Sequence, residues 1–169
     1  MMKLEILTYP DHFLSEPSEL VEEIDESLQK LIENMAQTMY EAPGVGLAAT
    51  QIGDKRRVFV YDRSPSEVTK EYGVVINPKI VTREGQLVSE NEGCLSVPDL
   101  RSDVKRSAQV LVEGIDREGN PLRLEAEGFL AVVMQHEIDH LNGTLFIDRI
   151  SALKRELYKR RMKKRIKAP

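Results

Sequence analysis

Gln135-His136-Glu137-Ile138-Asp139-His140 is the stretch that decides how the rest of the chain must be arranged. Two histidines four residues apart on a helix project from one face about a turn apart, so both imidazoles can reach a single metal ion. Glu137 stands between them, where a carboxylate can take a proton from a water whose acidity a cation has raised. Immediately upstream, Glu127-Gly128-Phe129-Leu130-Ala131-Val132-Val133-Met134 is an apolar run that carries the two histidines inward. Buried imidazoles need partners, which sets this helix apart from a solvated one bearing the same residues by chance.

A catalytic site built on such a helix ordinarily has three protein ligands and one position left for water. The metzincin pattern would put a third histidine at 146, where the chain has Phe146. A thermolysin-like site needs a downstream glutamate. The one that follows His140, Glu156, lies within a run of basic residues. Cys94 remains, in Glu92-Gly93-Cys94-Leu95-Ser96-Val97-Pro98. A lone cysteine is ordinarily a small core residue. Beside a two-histidine site short of one ligand, the balance tips toward ligation.

Working outward, Leu28, Leu31, Ile32, Met35, Ala36 and Met39 recur at helical spacing behind Asp25, a good N-cap, and predict an amphipathic helix over 25–40. Glu41-Ala42-Pro43-Gly44 ends it. The following Gly44-Val45-Gly46-Leu47-Ala48-Ala49-Thr50-Gln51 satisfies a loose dinucleotide pattern, but a helix precedes it and a strand-like run follows, the reverse of what that fingerprint requires. Gln51 is either a loop hydrogen-bonding residue or a donor aimed at an oxyanion; pattern alone leaves both open. Strands are expected at 4–7, 57–62, 73–77, 80–83 and 104–113, the last pairing with 121–125 across a hairpin turn, and 62–72 reads as an exposed loop. The fold class is therefore α+β: mainly antiparallel sheets around a central helix carrying the histidines, an N-terminal helix, and a basic C-terminal helix.

With 169 residues and one cysteine, the chain is long enough for a single core and has no internal disulfide. No apolar run approaches membrane-spanning length, so a cytoplasmic protein without a membrane partner is expected. The net charge of −4 hides an asymmetry: residues 154–169 hold nine Lys/Arg against one acid, leaving fifteen basic and twenty-seven acidic residues upstream. We expect a catalytic domain over 1–153, with 154–169 forming a basic helix of the same domain. Ser151 caps it, and Leu153, Leu157, Met162 and Ile166 form a thin apolar stripe. That helix is either a solvated terminus or the contact for a phosphate-rich partner such as ribosomal RNA.

Three segments together, Gly44-Val45-Gly46-Leu47-Ala48-Ala49-Thr50-Gln51, Glu92-Gly93-Cys94-Leu95-Ser96 and Gln135-His136-Glu137-Ile138-Asp139-His140, resemble the signature motifs of bacterial peptide deformylases in order and spacing. The likeness extends over nearly the whole chain; Ser15, where many relatives have arginine, is a departure remote from the chemistry. The resemblance implies hydrolytic removal of the formyl group from the N-terminal formyl-methionine of nascent chains. Cys94, His136 and His140 would be metal ligands and Glu137 the general base and acid. Gln51 and the Leu95 N–H would stabilise the oxyanion. It further implies Fe(II) as the native ion, although one thiolate and two imidazoles also suit Zn(II), Ni(II) or Co(II).

Methionine needs an apolar pocket beside the metal. Phe129, Val132 and Val133, on or beside the ligand face of the helix, are its candidates together with Val45. Val45, Gly46 and Gly93 can pair with the peptide main chain. Arg101 is carried over by the resemblance as a contact beyond methionine. Two rivals stand: a zinc peptidase using the same helix, and a nucleic-acid or ribosome-binding module whose metal is purely structural. The second needs a fourth ligand that the sequence does not offer.

Overall fold

In the computed structural model, residues 2–63 and 71–167 are described. They form three α-helices and seven strands: α1 (Glu26–Glu41), β1 (Gly46–Ala48), β2 (Val58–Asp62), β3 (Tyr72–Glu84), β4 (Leu87–Cys94), β5 (Val97–Arg106), β6 (Gln109–Ile115), β7 (Pro121–Glu127), α2 (Gly128–Leu141) and α3 (Ala152–Lys167). Most of the loop expected at 62–72 falls on residues 64–70, outside the described residues.

One antiparallel sheet runs β1-β2-β3-β6-β7, and β4 pairs with β5 as a separate hairpin. The alternation of β2 explains why the larger sheet is covered on both faces. Val58 and Val60 point to α1, where Leu28, Leu31, Ile32, Met35 and Met39 meet them. Phe59 and Tyr61 point to α2, against Ala131, Val133, Met134, Ile138 and Leu141. Each large apolar side chain so buried contributes about 1.5–3 kcal/mol, which makes this sandwich the main source of stability. Asp25 caps α1 as expected, its carboxylate accepting from the Leu28 N–H at 2.9 Å.

Strand β7 passes into α2 without a loop. Gly128 makes the corner with φ +58°, a left-handed conformation that costs a residue bearing Cβ. From Ala131 to Leu141 every residue of α2 except His136 is buried, so the histidine pair sits on a helix enclosed by the sheet, the β4–β5 hairpin and the 146–149 turn.

Several sequence expectations are corrected. Residues 4–7 form no strand; Leu7 is tied instead to the main chain of Gln51, its N–H donating at 2.7 Å. The two strands expected at 73–77 and 80–83 are one, β3, bent by irregular register around Asn77–Lys79 and Ile80–Thr82. The strand expected over 104–113 is two, β5 and β6, broken at Ser107–Ala108. There the Gln135 side chain takes both main-chain groups of Ser107, accepting from its N–H and donating to its carbonyl, each at 2.9 Å. The stripe expected on α3 is also revised: Leu153, Leu157 and Ile166 are exposed, while Tyr158 and Met162 are buried against Leu14, Val97, Val104 and the 145–147 segment.

Candidate metal centre

The β4–β5 hairpin brings Cys94 over α2 at its two histidines. Cys94 Sγ lies 3.2 Å from His140 Nε2, and His140 Nε2 lies 3.2 Å from His136 Nε2. The three donor atoms fall within 4.8 Å of one another, and among the described residues no fourth histidine, cysteine or carboxylate joins them. Two imidazole lone pairs and a sulfur converging on one point repel unless a proton or a cation lies between them. The donor set, one thiolate and two imidazoles, fits a divalent transition ion, and three ligands are fewer than a closed structural site employs.

Of the two imidazoles, His136 is oriented from behind, whereas His140 Nδ1 is buried without a hydrogen-bond partner among the described residues. Glu92 Oε1 meets His136 Nδ1 at 2.8 Å, which turns Nε2 toward the sulfur. Arg106, with a side chain only 2% exposed, holds Glu92 with Nε at 3.1 Å and a further very short contact through Nη2. Its Nη1 donates to Asp139 Oδ2 at 3.0 Å. Asp139, three residues after His136 on α2, is also grasped by Arg149 at 2.6 and 2.7 Å. Thr50 Oγ1 donates to the His140 carbonyl at 3.1 Å, and the Ser96 N–H points to Cys94 Sγ at 3.4 Å.

Burial raises the Glu92 carboxyl, but the hydrogen bonds from His136 and Arg106 outweigh it and hold the group at about 2. Burial also disfavours a charged His136, yet the Cys94 sulfur and the Glu92 carboxylate raise its pKa well above 6.5. For His140, burial followed by the charge on His136 and Arg106 pushes the pKa well down. A cation held by His136 must therefore displace the proton that this ring is disposed to keep in the metal-free protein.

Glu137 is 4% exposed and its Oε1 has no hydrogen-bond partner among the described protein groups. Gly46 is what lets it fit, because a Cβ there would stand 2.5 Å from Glu137 Oε2. Burial pushes the Glu137 carboxyl from its ordinary 4.5 up to about 7, with the charge on His136 and Arg106 pulling the other way. In the metal-free protein folding therefore favours the protonated acid, a contribution complete below pH 4.5 and lost as the pH rises through about 7. The melting temperature of metal-free wild type relative to metal-free Glu137→Gln should accordingly fall between about pH 5 and pH 8. Calorimetry in chelator checks this, and a difference independent of pH contradicts it.

Gln51 points into the same space. Its Oε1 accepts from the Ala48 N–H at 3.0 Å, and this fixes the amide so that Nε2 faces Ser96 Oγ at 3.0 Å and Cys94 Sγ at 3.8 Å. A cleft of about 880 Å³ opens in front of the trio. Val45, Gly46, Gln51, Gly93, Cys94, Leu95, Arg101, Phe129, Val132, Val133, His136 and Glu137 all line it, so of the residues singled out from sequence only His140 lies behind the wall. The apolar candidates differ in kind. Val132 is buried at the cleft, Val133 belongs to the core against the sheet, and Phe129 and Val45 stand at the mouth, 68% and 44% exposed.

Sequence reasoning missed Glu92, Arg106, Asp139 and Arg149. A signal existed for two of them: Glu92 is two residues before Cys94 on a strand, and Asp139 lies inside the His-Glu-Ile-Asp-His segment itself. Nothing in the pattern marked Arg106.

The chain is similar to known proteins in sequence and in fold. Residues 3–156 match the family model described as Polypeptide deformylase. The chain is 58% identical over 167 residues to a peptide deformylase of Desulfosudis oleivorans, covering 99% of this chain and 96% of that one. It is 50% identical over 163 residues to one from Thermodesulfovibrio yellowstonii, covering 96% and 98%. It superposes on the crystal structure of a peptide deformylase from Legionella pneumophila with a TM-score of 0.89 at 44% identity, over 99% of both chains. With the Ehrlichia chaffeensis peptide deformylase in complex with actinonin the TM-score is 0.90 at 39% identity, over 99% of this chain and 100% of that one.

Proposed function

The chain belongs to the polypeptide deformylase family, and on that premise we propose that Cys94, His136 and His140 hold its divalent ion while Glu137, Gln51 and Leu95 carry out the chemistry. The activity is metal-dependent hydrolysis that removes the N-formyl group from the formyl-methionine of newly made peptides. The observation that carries the assignment of roles is a three-donor cluster at the wall of a cleft with an unpartnered buried carboxylate beside it.

When bound, the ion supplies a Lewis acid that acidifies water and draws charge from the formyl oxygen. Glu137 takes a proton from the attacking water as its oxygen bonds to the formyl carbon. The same carboxyl then passes that proton to the departing amine as the C–N bond breaks, so formate and a free N-terminus leave. Burial raises the Glu137 carboxyl to about 7 in the metal-free protein, which favours its holding the proton between the two steps. Gln51 Nε2, held by the Ala48 contact, donates to the oxygen on which negative charge gathers, and the Leu95 N–H is the second donor.

Removal of one such donor costs roughly 3 kcal/mol of barrier, about two orders of magnitude in rate. Gln51→Ala should therefore lower kcat about a hundredfold with metal content unchanged. Steady-state formate release with metal analysis measures both, and an unchanged kcat removes Gln51 from the mechanism.

Val132, with Phe129, Val133 and Val45 around it, forms the methionine pocket. Val45, Gly46 and Gly93 pair with the peptide main chain, and Arg101 meets residues beyond methionine. We assign Fe(II) as the native ion; the ligand set also accepts Zn(II), Ni(II) or Co(II). A cytoplasmic location at the ribosome follows from the substrate, and the basic face of α3 is the proposed ribosomal contact within a single catalytic domain. Ribosome binding should weaken steeply as salt rises and with Arg160→Glu, Lys163→Glu and Lys164→Glu combined. Sedimentation tests this, and binding insensitive to both changes contradicts it.

Substrate choice distinguishes the enzyme from a peptidase on the same helix. Formyl-Met-Ala should release formate and an unformylated peptide should stay intact; cleavage of the unformylated peptide would favour the peptidase.

A further inference from the structure

Helix α3 is bound to the substrate cleft by side chains that its charge pattern did not single out. Pro98 and Asp99 line the cleft at the start of β5, and Asp99 adopts φ 62°, a left-handed conformation that L-residues rarely take. Both of their carbonyls are held by α3. Tyr158 Oη donates to the Pro98 carbonyl at 2.9 Å, and Arg161 Nη2 donates to the Asp99 carbonyl at 2.8 Å. Arg165 forms an ion pair with the Asp99 carboxylate. Positions 158, 161 and 165 recur at three- and four-residue spacing, so one helix face makes all three contacts.

That face is anchored. Tyr158 and Met162 are buried against Leu14, Val97, Val104 and the 145–147 segment, and the Arg161 guanidinium lies 5.2 Å from the centroid of the Tyr158 ring. Residues 98–101 form the rim just beyond the β4–β5 turn that carries Leu95, and their path is thus set by a helix that does not itself line the cleft.

We propose that Tyr158 and Arg161 are positioning residues for the outer part of the substrate cleft, fixing Pro98–Asp99 so that Leu100 and Arg101 are presented to the peptide residues that follow formyl-methionine. The inference rests on the deformylase reading of the site. It separates two parts of the substrate: the formyl-methionyl end meets Cys94, Glu137 and Gln51, all held by β4, α2 and the 49–52 turn, whereas the following residues meet a rim held by α3.

The test is steady-state formate release by the metal-loaded full chain on two substrates, formyl-methionine amide and a formyl-Met tetrapeptide. Tyr158→Phe combined with Arg161→Met removes both donors while keeping the buried Tyr158 ring and an unbranched side chain at the exposed position 161. Loss of two such hydrogen bonds should raise KM for the tetrapeptide about five-fold or more. Its kcat, and both constants for the amide, should stay within about two-fold. Equal losses on the two substrates, or no change on either, overturn the proposal. Should the double variant fail to fold, Tyr158→Phe alone carries the same comparison, since it deletes one oxygen atom. Wild type that released no formate from either substrate would instead overturn the deformylase reading, so the two failures are distinguishable.

Discussion

Glu137→Gln should lower kcat by about three orders of magnitude while the protein keeps one metal ion per chain. Positioned acid–base groups contribute roughly 10²–10⁴-fold, and here one carboxyl serves both transfers. Glutamine preserves the shape of the side chain in a space bounded by Gly46, where even a methyl group would collide. It cannot accept or return a proton. Because Glu137 stands outside the three-donor cluster, metal content should not follow the loss of rate. Formate-release kinetics beside metal analysis decide the matter. A fall of less than about ten-fold would mean that the proton travels by another route.

Arg106→Met should lower stability by about 3–5 kcal/mol, the cost of leaving buried charge without its partner. Two carboxylates lose their common cation, leaving Glu92 with His136 alone and Asp139 with Arg149 alone. For a chain of this size such a loss corresponds to a drop in Tm on the order of ten degrees. Glu92 also orients His136, so metal affinity should fall roughly 10–100-fold, as it does when a ligand's own support is removed. Adding Glu92→Gln to Arg106→Met should restore part of the stability by removing the stranded charge. A Tm within a degree or two of wild type would show that solvent reaches the network and that Arg106 is not its keystone.

Much of the site was legible because its chemistry is local. His136, Glu137 and His140 share one helical segment, and an apolar run announces that the helix is buried. Cys94 was found as the ligand that such a site lacks, and the helix over α1 was visible in its apolar spacing. The β4–β5 hairpin was not. Its first strand reads Leu87-Val88-Ser89-Glu90-Asn91-Glu92-Gly93-Cys94, with little apolar alternation, so its pairing is set by β5 and by the buried Arg106 it faces, contacts distant in sequence. The break between β5 and β6 depends on Gln135, a side chain from α2 standing in for a strand partner. For α3, a charge count described the outer surface. The inner face depends on the Tyr158 ring and hydroxyl, whose partner at Pro98 lies sixty residues away.

The most direct test of this account is X-ray absorption at the metal edge of the purified, metal-loaded protein. The account predicts one sulfur and two imidazole nitrogens, with a lighter ligand that exchanges with solvent, and loss of the sulfur signal in Cys94→Ser. Coordination without sulfur, or a fourth ligand supplied by the protein, would contradict it.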